Sequence, residues 1–200
     1  MYESYPNRDS LKYEAVYGLH DADTIYRGTL RVPNFSAGWQ WLVLHGMTAL
    51  APFDYAILLQ KIKEEKNAAI REMLEEIGFD AVQPQSGELA ADYLQRILEQ
   101  KWKMQTDDTD LVVMIHEVHY TLQDKKYTLA SSIVLEGEDA EKTAMAKTVG
   151  LPLAIAVEMI LANKITQRGV LLPIADEIVY PMLAALEKLG IKFKEKIVQV

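Results

Sequence analysis

Apolar positions along this chain change their period several times, and each change marks an element. Residues Thr24 to Val32 are rich in β-branched and aromatic types, which predicts a strand that Pro33-Asn34 stops. From Ser36 to about Thr106 the spacing becomes helical. Ser36 can cap a helix carrying Trp39, Leu42 and Val43, and Gly46 closes it. Asp54 to Ile77 keeps helical spacing, with Lys63-Glu64-Glu65-Lys66-Asn67 as a candidate interruption. Ser86 starts the clearest helix, where Leu89, Tyr93, Leu94, Ile97, Leu98 and Trp102 form one stripe.

Further on, Leu111 to Leu122 and Tyr127 to Leu135 are two β-rich runs joined by Asp124-Lys125-Lys126, which reads as an antiparallel hairpin. A helix follows from about Ala140, and Pro152 suits the first turn of a second one over Leu153 to Ala162. Val170-Leu171-Leu172 is a candidate for a short buried strand. Tyr180 to Leu189 reads as a helix, and Ile191 to Val200 as a final strand. Everything before about Asp23 reads as loop and turn, with one short helix after Asp9-Ser10 that Gly18 ends. The fold class is therefore α/β (α+β): a mixed β-sheet flanked by helices. It forms one domain over residues 1–200, with a small all-helical insertion at about 36–106.

Composition narrows the function classes. Half of the 200 residues are apolar and a quarter are charged, as in ordinary globular proteins. No apolar run is expected to approach the roughly 20 residues of a membrane span, and Met1 to Tyr5 lacks signal-peptide character. The chain has no cysteine, so neither disulfides nor thiolate chemistry is available, and a cytoplasmic setting is expected. A net charge of -8 argues against nucleic acid as a partner. An acidic chain that binds an anion needs a local cationic pocket, which directs attention to individual arginines.

Two arginine motifs stand out: Tyr5-Pro6-Asn7-Arg8-Asp9-Ser10 and Arg27-Gly28-Thr29-Leu30-Arg31. A guanidinium is planar, permanently charged and able to donate two parallel hydrogen bonds to one carboxylate. Two of them in one cleft would suit a substrate with several carboxylates. Thr29 and Arg31, two apart on a strand, face the same way. The residues alone also allow Arg8 to pair with Asp9, and Arg31 to lie on a solvated face. His116-Glu117-Val118-His119 is not the helical zinc motif, because histidines three apart on a strand point to opposite faces. Asp107-Asp108-Thr109-Asp110 lacks the glycine and distal glutamate of a calcium loop and reads as a solvated turn. No Gly-x-Gly-x-x-Gly or Gly-x-Ser-x-Gly is present, and Lys147 reads as a surface lysine.

The two arginine motifs are followed in order by Asp110-Leu111-Val112-Val113-Met114, Thr143 to Pro152, Arg168-Gly169-Val170-Leu171-Leu172-Pro173 and Asp176-Glu177-Ile178-Val179-Tyr180-Pro181. In this order they resemble the carboxyl-terminal half of saccharopine dehydrogenases. The resemblance implies the substrate-binding half of an oxidoreductase of lysine metabolism. That enzyme oxidises saccharopine, with NAD or NADP, to glutamate and 2-aminoadipate semialdehyde, or runs the reverse. It implies Arg8, Thr29, Leu30 and Arg31 as substrate-binding residues and no metal. Catalytic residues and the cofactor site are expected in a Rossmann half, in cis or in trans. This chain alone is then expected to bind no cofactor and to be inactive. Saccharopine or a related multi-carboxylate amino acid is the implied ligand, and neither nucleic acid nor membrane is an implied partner. A severed interdomain face would expose apolar surface and favour a homodimer. Val32 and Glu141-Lys142 depart from the family pattern, where an aromatic residue and small residues stand. The rival reading is a non-catalytic module for dicarboxylate binding or self-association, using the stripe from Leu89 to Trp102.

Overall fold

The computed structural model describes residues 2–200 as two compact units, divided after Lys103. The first unit opens on β1 (Glu3–Pro6), which pairs antiparallel with β2 (Gly28–Arg31). β1 lies in the stretch expected to be loop. Between the two strands a 3₁₀ turn, Leu11–Tyr13, leads into the short helix α1 (Glu14–Tyr17), closed by left-handed Gly18 as expected. β2 is much shorter than the expected Thr24–Val32 strand, because it pairs only as far as β1 runs. Pro6 ends that ladder opposite Gly28. Gly28 is required here: a β-carbon would lie 2.2 Å from Ser4 Oγ and 2.8 Å from the Tyr26 ring.

Four helices follow in the same unit: α2 (Phe35–Leu44), α3 (Tyr55–Glu64), α4 (Ala68–Ile77) and α5 (Ala90–Lys101). The interruption expected at Lys63–Asn67 is the break between α3 and α4. Asn67 caps α4 there by accepting hydrogen bonds from the amides of Ala69 and Ile70. α5 starts at Ala90 rather than near Ser86. Its stripe is core: Tyr93, Leu94, Ile97 and Leu98 are buried with Leu42, Met47, Leu74 and Phe79, while Trp102 is exposed. The interface role offered for that stripe therefore gives way to packing. The buried Tyr93 hydroxyl donates to the carbonyls of Phe79 and Val82, at 3.0 and 2.6 Å.

One ion pair ties α5 to the loop before it. Arg96 donates from Nε and Nη2 to the two Glu88 oxygens, both at 2.7 Å. The Arg96 guanidinium is the main reason the Glu88 carboxyl is pulled down from 4.5 to about 2. A carboxyl lowered in the folded state stabilises fully above its ordinary value, and that stabilisation disappears as pH falls through the folded value. Resistance of this chain to urea is thus expected to drop between pH 4.5 and about 2. Glu88→Gln should start weaker at neutral pH and show a shallower acid slope. Equal slopes for variant and parent would remove the pair from the account.

In the second unit the hairpin is as the two β-rich runs predict, with β3 (Leu111–Leu122) paired to β4 (Lys125–Glu136). The turn is Gln123-Asp124, both with positive φ (51° and 60°), the tight two-residue type, rather than Asp124-Lys125-Lys126. Beyond them lie α6 (Ala144–Leu161), α7 (Asp176–Lys188) and β5 (Lys194–Gln199), which adds antiparallel to β4. The α/β class stands, with the strands divided between two antiparallel sheets, ordered β1-β2 and β3-β4-β5.

α6 corrects two expectations. It is one helix of 18 residues that runs through Pro152. Proline removes one intrahelical bond, but Leu151, Ile155 and Met159 all pack on the cluster around Ile133, which holds both halves on one axis. With a mean hydropathy of 1.6, it is also long and apolar enough to cross a bilayer by length and composition, against the expectation that no run approaches this. The Val170-Leu171-Leu172 run forms no strand and is exposed.

Candidate functional site

The odd-numbered face of the β1-β2 ribbon collects the chemistry. Register sets Glu3 opposite Arg31 and Tyr5 opposite Thr29, so these four side chains share one face. Asn7 continues the line: its amide nitrogen donates to Thr29 Oγ1 at 2.7 Å, and its backbone N–H donates to the Arg27 carbonyl at 2.9 Å. Arg31 lies between two aromatic rings, 5.9 Å from the Tyr5 centroid and 5.3 Å from that of Phe35. Phe35 in turn stacks on Trp39 at 5.8 Å. Such cation–π contacts orient a guanidinium without neutralising it.

Arg31 Nη1 donates to the Leu30 carbonyl at 2.9 Å, and among the described residues Arg31 has no carboxylate partner. Its other N–H groups are free to receive an anion. Leu30 points to the opposite face of the ribbon from Thr29 and Arg31, so it serves this face through its carbonyl.

Arg8 stands at the other end of the ribbon. It is exposed, it sits at φ 66°, and it has no ion pair among the described residues. The Asp9 carboxylate accepts from the Leu11 N–H at 3.0 Å, so the Arg8–Asp9 pair does not form. A left-handed backbone at a residue with a β-carbon costs on the order of 1 kcal/mol. Arg31 pairs at the start of β1 and Arg8 follows two residues after its end, so the two arginines stand at opposite ends of the ribbon. They suit separate carboxylates of an elongated ligand.

Sequence reasoning missed Glu3, Tyr5 and Phe35. Glu3 is the cap of α2: it accepts from the Asn34 N–H at 2.8 Å and the Ser36 N–H at 2.5 Å. Ser36 was expected to fill that place, but it lies inside the helix. The Ser36 amide is the main cause that holds the Glu3 carboxyl below its ordinary value.

The remaining candidates are structural. His119 meets Glu117 at 2.7 Å and Thr128 Oγ1 at 3.0 Å, while His116 packs against Phe193. No three metal-ligating side chains converge among the described residues. Asp110 is not a solvated turn residue, because its carboxylate accepts from the amides of Ala144 and Met145 at the start of α6. Lys147 is ion-paired with Glu138 at 2.6 Å. Glu141 and Lys142, the departure from the family pattern, donate their amides to Asp139 Oδ1.

The profile of the family described as the saccharopine dehydrogenase C-terminal domain matches residues 1–191. The chain belongs to that family. A saccharopine dehydrogenase [NADP(+), L-glutamate-forming] from Pyricularia oryzae is 31% identical over 98% of this chain and 51% of its own length. An alpha-aminoadipic semialdehyde synthase of Arabidopsis thaliana is 29% identical over 97% of the chain and 22% of its own length. Apo saccharopine dehydrogenase (L-Glu forming) from Saccharomyces cerevisiae superposes with a TM-score of 0.85 at 29% identity, covering 98% of this chain and 52% of that one. The saccharopine dehydrogenase C-terminal domain seen here thus spans about half the length of the fungal relatives it matches, and less of the synthases.

Proposed function

We propose that this chain supplies the saccharopine-binding half of a nicotinamide-dependent saccharopine dehydrogenase. Arg8 and Arg31 hold carboxylates at the two ends of the substrate, and Thr29 adds a hydroxyl beside Arg31. The observation that carries the reading is Arg31, a permanent cation held between Tyr5 and Phe35 with no acid of its own among the described residues. Saccharopine joins a lysine skeleton to a glutamate skeleton through a secondary amine and carries three carboxylates. Fixed arginines at separate points would orient its amine carbon by holding the ends.

The cofactor does not fit this chain. A dinucleotide site needs a parallel strand, a Gly-x-Gly-x-x-Gly turn and a helix. The strand pairs described here are all antiparallel, and the glycine motif is absent from the sequence. NAD or NADP therefore belongs to a Rossmann half, in cis or in trans. The half-length match to the fungal enzymes supports this division. So does the exposed stripe of Met145, Val149, Leu153, Val157 and Ile160 along α6, an apolar face of the kind that a further domain covers.

Calorimetric titration tests the reading. Saccharopine is expected to bind the folded chain with measurable heat, and glutamate, which lacks the lysine end, at least tenfold more weakly. Equal affinity for both would favour a general dicarboxylate module. No heat from either would mean that this half holds no substrate by itself.

A further inference from the structure

We propose that Glu3 is a positioning residue for Arg31: by capping α2 it keeps its own oxygens from pairing with the arginine and fixes the Phe35 ring beside it. The inference rests on the substrate-site reading above.

Glu3 and Arg31 are directly opposed in an antiparallel pair. At that spacing, side chains are about 5 Å apart at their β-carbons, and opposite charges ordinarily pair. Here they do not. The Glu3 carboxylate instead accepts from Asn34 N at 2.8 Å and Ser36 N at 2.5 Å, one bond to each oxygen. Asn34 makes this possible: its left-handed backbone, φ 70°, starts α2 at Phe35 without any side-chain cap of its own. The Phe35 N–H donates to the Val32 carbonyl, whereas the amides of Asn34 and Ser36, at the start of the helix, have no intrahelical acceptor. Glu3, 31 residues upstream of Asn34, fills that vacancy.

Two consequences follow for Arg31. The acid directly opposite it is engaged elsewhere, so an incoming carboxylate does not have to displace an internal partner. Phe35 is the first residue of α2, and its ring stands 5.3 Å from the guanidinium. Tying Asn34 and Ser36 to β1 therefore fixes the ring that fixes the arginine. Glu3 touches no part of the proposed ligand; it acts through α2.

The test uses the whole chain. Saccharopine affinity is measured for Glu3→Ala, first in the parent and then in Arg31→Lys, which keeps the cation but loses the planar fork. If Glu3 works through the guanidinium, Glu3→Ala weakens binding about tenfold in the parent and less than about twofold in Arg31→Lys. Equal loss in both backgrounds, or no loss, would overturn the proposal. Should Glu3→Ala unfold, Glu3→Gln carries the same comparison. Because each amide bonds a different Glu3 oxygen, turning one oxygen into an NH2 loses one of the two bonds, so about a threefold loss is expected. The Arg31 Nε–H resonance, read without ligand, separates this inference from the one beneath it. If no version binds saccharopine, the substrate-site reading fails. A resonance that moves in Glu3→Ala or Glu3→Gln still upholds the positioning role, and an unmoved one overturns it.

Discussion

Arg31→Ala is expected to weaken saccharopine binding by about ten- to a hundredfold while leaving the chain folded. The estimate takes the guanidinium as one charge-assisted partner of a substrate carboxylate, worth about 1.5–3 kcal/mol. The folding side follows from what the residue touches. Its one hydrogen bond goes to the neighbouring Leu30 carbonyl, and its ring contacts are to Tyr5 and Phe35. Half-exposed cation–π contacts contribute about 0.5–1 kcal/mol each, so the unfolding free energy should fall by no more than about 1–2 kcal/mol. Arg31→Lys should fall between, since it keeps charge without the bidentate geometry. Calorimetry and urea unfolding on the same samples separate the two roles. Unfolding of Arg31→Ala, or unchanged affinity in a folded variant, would make Arg31 a structural residue and remove the centre of the proposed site.

What the sequence disclosed about this site divides by distance along the chain. Thr29 and Arg31 share a face because a strand has a period of two, a local rule that needs no structure. The break between α3 and α4 was legible for the same reason: Asn67 caps amides only two and three residues ahead. The hairpin of β3 and β4 followed from two β-rich runs close in sequence, and the pairing holds to the last pair, Leu111 with Glu136. The unread parts are contacts over long separations. Glu3 capping α2, and Tyr5 and Phe35 flanking Arg31, depend on β1, which is too short to show a periodic signal. Pro152 misled because its local preference to begin a helix lost to the packing of Leu151, Ile155 and Met159 on one cluster. Val170-Leu171-Leu172 misled because apolar content alone does not supply a strand partner.

Gly137 is a tightly enclosed backbone position in the second unit. Gly137→Ala is expected to destabilise the chain by about 2–4 kcal/mol, the sum of an overpacked contact and a disturbed helix cap. A β-carbon there would sit 2.2 Å from Asp110 Oδ1, 3.0 Å from the Ala144 nitrogen and 3.1 Å from Thr143 Cα. None of these can retreat cheaply. Asp110 Oδ1 accepts from Ala144 N at 2.5 Å, its other oxygen accepts from Met145 N at 2.8 Å, and the Gly137 N–H donates to the Asp110 carbonyl at 2.8 Å. Burial works to raise the Asp110 carboxyl, yet these amides outweigh it and hold the group below its ordinary value. The start of β3, the end of β4 and the first turn of α6 therefore meet at one carboxylate, and the missing side chain of Gly137 leaves it room. A double-mutant comparison isolates the point. In Asp110→Ala the cap is already lost and the closest clashing oxygen is gone, so adding Gly137→Ala should cost clearly less than it does in the parent. Full additivity in urea unfolding would mean that the glycine serves the backbone alone, and that the carboxylate is not what it makes room for.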